Sequence, residues 1–388
     1  MRKIDILIKR EIILLYFATP IVYAIAKIIG NKSLYAAKDI LMAIICLQIL
    51  IVFIRRKVCF NARFLSMIFI YFAYIFIDSI LKMDDEFFWL ISMREMIVTP
   101  LMLIVIGTYL EYMKADFLEH SRKVLYFTTL LTVIFSFIFR NLSYGGGGYS
   151  IRSRLSSFWD REHEPSFVGA MLIIATISQT KRDGRKLHLK DIAIPVLLGG
   201  FCMIMSKSRS AIVAFLGTMI YVFTDKLKLK NVIAVILIGI SCYAATEYYS
   251  VITNRALDHN IDARTSQWTM AYKLFDSNPL FGIGTDKYGG GLGSQGKRLT
   301  FQGAATTTMD SSLIKYLLNL GLIFVVLFFL LLMKTYKTIR KYDRYAYIFI
   351  IFGLLIGAVT GKLAAYPMNQ YFFPLIGYCL LPKHVKKS

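Results

Sequence analysis

The chain has 388 residues, of which 56% are hydrophobic, 18% charged and 14% aromatic, and it carries a formal net charge of +22. Its mean hydropathy is +0.57. A soluble domain has roughly 25% charged residues and about 45–50% apolar ones. The composition therefore excludes an ordinary water-soluble globule, a disordered chain and a disulfide-stapled secreted domain. It predicts an all-α polytopic integral membrane protein, with one membrane domain over 1–388.

A crossing helix needs about 20 predominantly apolar residues. Runs bounded by charge or by Gly/Pro clusters predict spans near 11–30, 35–54, 64–82, 88–110, 122–139, 165–180, 191–205, 209–224, 231–248, 312–333, 345–361 and 368–381. That makes about twelve, the seventh, eighth and last being short. The first run lacks a small-residue cleavage site and reads as a retained span. Cys46, Cys59, Cys202, Cys242 and Cys379 show neither C-x-x-C nor metal-ligand spacing, and read as buried or cytoplasmic thiols.

Alternate connections are strongly basic. They hold Arg2, Lys3, Lys9 and Arg10; Arg55, Arg56, Lys57 and Arg63; Lys114, Arg122 and Lys123; Lys181, Arg182, Arg185, Lys186 and Lys190; Lys226, Lys228 and Lys230; Lys334, Lys337, Arg340, Lys341 and Arg344; and Lys383, Lys386 and Lys387. The positive-inside rule puts these connections and both termini in the cytoplasm. Most of the net charge thus marks one membrane face, and nucleic acid is not an expected partner. The absence of fixed-period repeats or matched halves argues against inverted-repeat transporters.

Two long loops, about 140–164 and 249–311, fall on the outer side. The first carries Gly145 to Gly148 without the Lys-Ser/Thr of a P-loop. Arg152, Arg154 and Arg161 follow, interleaved with Phe158 and Trp159, then Asp160, Glu162, His163 and Glu164, with Pro165 opening a helix. Such a segment is a solvated, self-paired loop or a sugar-binding surface in which rings stack on pyranose faces. His163-Glu164 is not H-E-x-x-H, so no metal is expected.

The second element is Ser206-Lys207-Ser208-Arg209-Ser210, a tight outer turn before a span. A helix N-terminus carries roughly +0.5 charge, so cations there suit a bound anion. The other reading is a serine-capped start whose cations snorkel to headgroups. The third element is 263–275, where Arg264, Trp268 and Tyr272 recur at helical spacing and predict an amphipathic helix. Asn278-Pro279-Leu280-Phe281-Gly282-Ile283-Gly284 breaks it, and Asp310 stands at the N-cap region of the next span. Arg94 and Glu95 lie inside the fourth span, either functional or, for Arg94, snorkelling.

Three features coincide: S-K-S-R-S-A opening a span, R-x₃-W-x₂-A-x₆-N-P-L-F-G-I-G-T-D in the large loop, and D-S-S-L-x₆-L-G-L-I opening the next span. Together they resemble the bacterial O-antigen polymerase and ligase superfamily of polytopic membrane glycosyltransferases, from about Arg152 to Phe324. Ligases of that superfamily usually carry a His where this chain has Asp310, which favours a polymerase.

The resemblance implies a GT-C-like bundle with a partly helical extracytoplasmic loop in the bacterial inner membrane. It implies inverting, metal-independent transfer on the periplasmic face, without cofactor. The donor is a glycan on undecaprenyl pyrophosphate and the acceptor a fresh lipid-linked repeat unit. A chain-length regulator and a repeat-unit flippase are candidate partners beside the lipid bilayer. Arg209, Arg264 and one of Arg152 or Arg154 would hold the pyrophosphate, assisted by Lys207, with Arg161 in the same binding set. Glu164, then Asp310, then His163 are the candidate bases. Trp159, Trp268 and Tyr272 would stack on sugar or cover the polyprenyl entry. The alternatives are a ligase transferring finished glycan to lipid A core or protein, and a transporter or flippase of lipid-linked sugars.

Overall fold

The computed structural model describes residues 3–83, 86–143, 155–159, 163–185, 188–223, 272–273, 275–285, 299–301, 304–306, 311–360, 363 and 366–382. They form α1 (Lys3–Ile29), α2 (Ala36–Arg55), α3 (Ala62–Leu81), α4 (Glu86–Met93), α5 (Thr99–Tyr112), α6 (Phe117–Ile138), α7 (Arg140–Ser143), α8 (Glu164–Arg182), α9 (Leu189–Ser206), α10 (Arg209–Phe223), α11 (Ser312–Ile339), α12 (Ile348–Val359) and α13 (Asn369–Gly377). A short antiparallel hairpin, β1 (Leu299–Phe301) with β2 (Ala304–Thr306), lies in the large loop and pairs Leu299 with Thr306. Helix starts follow the capping residues. Asn61, Asp116 and Ser311 each accept the backbone N–H three positions on, opening α3, α6 and α11.

Among the described residues, six helical stretches are long and apolar enough to cross a membrane: Lys3–Ile29, Ser33–Arg55, Ala62–Leu81, Trp89–Tyr112, Phe117–Ile138 and Ser312–Ile339. The protein is thus multi-pass. One face of these helices is buried while Leu14, Leu47, Ile54, Phe69 and Ile138 stay exposed, as a lipid-facing surface requires. The fourth span is interrupted by a π-helical turn at Arg94–Val98.

The expected last span, 368–381, contains a short helix. α13 has nine residues, about 14 Å at 1.5 Å per residue, well short of a hydrocarbon core of about 30 Å. α12 has 12 residues, and the expected span at 231–248 lies outside the described residues.

The chain packs as two compact units: 1–58, 109–254 and 343–352 in the first, and 59–108, 255–342 and 353–388 in the second. α8 is the core of the first, with every side chain from Glu164 to Ser178 buried, and α6, α9 and α10 pack on it.

At one end of this unit the basic connections are tied together. Arg56 donates to Asp5 and to the Tyr112 hydroxyl, both at 3.0 Å, and the Tyr109 hydroxyl donates to Asp5 at 3.0 Å. Arg182 donates to Asp116 at 2.8 Å, to Asp343 at 2.9 Å and to Gln179 at 3.0 Å. The Tyr221 hydroxyl donates to the Arg344 carbonyl at 3.0 Å. The ends of α1, α2, α5, α8 and α10, the start of α6 and the approach to α12 therefore share this end. They are the alternate connections singled out by the charge pattern. Burial pushes the Asp116 carboxyl up, but hydrogen bonds from Arg182 and the Glu119 N–H outweigh it and hold the group below its usual value. Asp116 and Asp343 in turn hold the Arg182 guanidinium charged.

In the second unit, α3 and α11 pack together. Tyr71, Phe324, Phe328 and Phe372 form a ring column with centroids 5.3, 5.8 and 6.3 Å apart.

Candidate functional site

The end of the first unit opposite its ion-paired end is built by a turn at 155–159 and the link between α9 and α10. The Leu155 N–H donates to the Met205 carbonyl at 3.0 Å, which joins the two. Ser157 sits in a left-handed conformation and its hydroxyl donates to the Thr132 carbonyl at 2.9 Å. The Trp159 indole N–H donates to the Thr132 hydroxyl at 3.1 Å, and its ring stacks on Phe158 at 4.8 Å. His163 occupies the N-cap position of α8, its ring 5.1 Å from Phe167, and Glu164 is buried in the first turn. An anionic side chain suits a helix N-terminus.

α9 stops because Lys207 turns left-handed, at φ 53° and ψ 38°. The Ser206 hydroxyl bonds back to the Cys202 carbonyl at 2.6 Å. The Ser208 hydroxyl lies 3.1 Å from that of Ser210 and accepts the Ala211 N–H at 3.4 Å. α10 then opens at Arg209. The S-K-S-R-S segment is thus a two-residue hinge, Lys207 and Ser208, between two helices, at the same end of the unit as His163 and Glu164.

In the second unit, residues 278–285 dock onto a break in α11. Gly321 has φ 73° and ψ −172° inside the helix. The Leu322 and Ile323 N–H groups, freed by the break, donate to the Pro279 and Leu280 carbonyls at 2.9 and 3.2 Å. In return the Ile283 and Gly284 N–H groups donate to the Leu318 and Asn319 carbonyls, both at 2.9 Å. The Leu320 carbonyl accepts the Tyr74 hydroxyl at 2.7 Å.

Only glycine fits at the contact. A Cβ on Gly321 would lie 2.2 Å from the Leu280 carbonyl oxygen, and one on Gly282, at φ 70°, would lie 2.5 Å from the Leu318 carbonyl oxygen. Irregular backbone inside a membrane bundle is tolerated where protein satisfies it, and broken helices commonly flank ligand sites. Here N-P-L-F-G-I-G and L-G-L-I satisfy one another.

Residues 194–329 match the family model described as O-Antigen ligase. This match supports the O-antigen polymerase and ligase superfamily, and it contains both the α9–α10 hinge and the docked loop with its broken helix. No curated protein matches the chain.

Against these motifs the expected site residues divide into three groups. Lys207, His163 and Glu164 share one end of the first unit, where Arg209 starts α10. Tyr272 lies in the second unit and is 70% exposed, as a contact residue requires. Arg152, Arg154, Arg161, Arg264, Trp268, Asp310 and the Arg209 side chain lie outside the described residues.

Two expectations change. Trp159 is fully buried and bonded to Thr132, so both ring faces are covered by protein and it packs the turn rather than offering a face to sugar. Ser311, one residue after Asp310, holds the cap of α11, and its hydroxyl also bonds to the Gly357 carbonyl at 3.3 Å. Cys46, Cys202 and Cys379 are buried, in line with the expectation. Sequence reasoning missed Tyr74, Asp78, Lys82 and Ser92, which hold the docked loop and the break. The one legible signal was the opposite charge of Asp78 and Lys82 at i,i+4.

Proposed function

We propose that the protein polymerises undecaprenyl-pyrophosphate-linked oligosaccharide repeat units, for O-antigen or a similar surface polysaccharide. The transfer is inverting and metal-independent, on the periplasmic face of the bacterial inner membrane. In this reading the ion-paired end of the first unit and both termini are cytoplasmic, and the loops 140–164 and 249–311 form a GT-C-like outer region. The observation that carries the reading is the family match over 194–329, which spans all three motifs from Ser206 to Ile323.

A departing pyrophosphate gains charge, and fixed cations stabilise it more in the transition state than in the ground state. Arg209, Arg264 and Arg152 or Arg154 take this role, since a guanidinium fork matches phosphate oxygens. Lys207, at the left-handed hinge, assists. The acceptor hydroxyl loses its proton to Glu164, with Asp310 and His163 next in order. Trp268 and Tyr272 stack on glycan.

Purified protein supplied with lipid-linked repeat units and chelator, then read on a ladder gel, tests the class. A ladder is expected. The description of the matched family favours a ligase as the second reading. It predicts no ladder but transfer of finished glycan to an added lipid A core. Movement of intact lipid-linked units without transfer would replace both readings with a transporter, which the family match does not support.

A further inference from the structure

We propose that Asp78 and Lys82, on α3, are positioning residues of the glycosyl-transfer site and act by latching the docked loop. The inference rests on the function proposed above and adds residues that lie outside both the matched segment and the motifs.

Asp78 sits on the last turn of α3 and Lys82 is its C-cap residue, whose ammonium group serves two partners at once. It donates to Asp78 Oδ1 at 2.5 Å and to the Phe281 carbonyl at 2.5 Å, and it stands 5.6 Å from the centre of the Phe281 ring. The pair is largely sheltered, with side chains 19% and 5% exposed. A solvent-exposed i,i+4 pair contributes little. A charge-assisted bond to a main-chain carbonyl is stronger and directional, although Phe281 itself is 45% exposed.

The loop needs such holders. Gly282 is left-handed and its N–H closes a turn on the Asn278 carbonyl at 2.8 Å, and carbonyls outside regular structure need donors from elsewhere. Backbone bonds fix residues 279, 280, 283 and 284 to the break in α11. Two carbonyls are left to neighbouring helices: Phe281 to Lys82 on α3, and Thr285 to the Ser92 hydroxyl on α4 at 2.9 Å. Asp78 holds the ammonium in place. In chain order the loop stands between the candidate residues Arg264, Trp268 and Tyr272 and the candidate Asp310.

The test uses two readouts. In a chain whose cysteines other than Cys379 are replaced, Thr285→Cys introduces a thiol at a position 1% exposed. Its reaction with a maleimide in detergent reports release of the loop, while buried Cys379 reports unfolding of the same unit. Lys82→Met should speed labelling at 285 by about tenfold or more, as loss of one charge-assisted bond requires. Cys379 should stay protected and Lys82→Arg should restore slow labelling.

In the ladder reaction, Lys82→Met should lower kcat by about 10²-fold, with KM changed by less than about threefold, and Lys82→Arg should recover most of it. Unchanged labelling, labelling of both thiols alike, or a loss confined to KM overturns the latch. If the unaltered protein yields no ladder, the proposed function fails while the labelling still decides whether Lys82 holds the loop.

Discussion

Arg182 in the first unit and Lys82 in the second are both cations held by carboxylates, but they differ in what else they hold. Among the described residues Arg182 engages the side chains of Asp116, Asp343, Gln179 and Asp183, and ties together three segments distant in sequence. Lys82 engages one carboxylate and one main-chain carbonyl of the docked loop, which lies in the matched segment. The first arrangement matches charge to charge and fixes the bundle. The second spends a charged donor on placing a loop. Loss of Arg182 should therefore appear as lost stability, and loss of Lys82 as lost turnover in a folded protein.

The comparison breaks most sharply at the loop itself. Gly321→Ala places a Cβ against the Leu280 carbonyl at a backbone angle that side chains rarely adopt. It should undock 279–284 and lower turnover by about 10²-fold or more, measured in the ladder reaction at equal protein.

Arg182→Met should leave turnover per folded molecule unchanged but cost about 1–3 kcal/mol of stability, read as a lower Tm in detergent. The acid side sharpens this. The Asp116 carboxyl is held below its usual value in the folded protein, by Arg182 and the Glu119 N–H against the opposing effect of burial. Its contribution is therefore complete above the unfolded pKa, about 3.9, and is lost as pH falls through the lower folded value. Tm should fall in that window, and less so in Arg182→Met.

The smallest effect belongs to Trp159→Phe. It removes one buried hydrogen bond to Thr132, worth about 1 kcal/mol, and should leave the glycan ladder unchanged.

Much of this was legible in the sequence. Alternation of basic connections anticipated which helix ends gather around Arg182 and Arg56, because topology is written in local charge. The S-K-S-R-S hinge was legible because serines and cations between two apolar runs mark a helix boundary. The docking of N-P-L-F-G-I-G on Gly321 was not, since backbone pairing between segments tens of residues apart leaves no periodicity. Trp159 was misread because a ring among arginines looks like a sugar platform, while its burial depends on Thr132, 27 residues upstream. The extent of the last helix was not legible because hydropathy counts apolar residues and is blind to helix continuity, which in α13 ends after nine residues.

The proposed function requires both Arg209 and Arg264 for glycan transfer. The most direct measurement is the reconstituted ladder reaction with Arg209→Ala and Arg264→Ala at matched protein levels. Neither variant should produce a ladder while both remain folded and bilayer-inserted. A ladder of ordinary length and amount from either one would contradict the account.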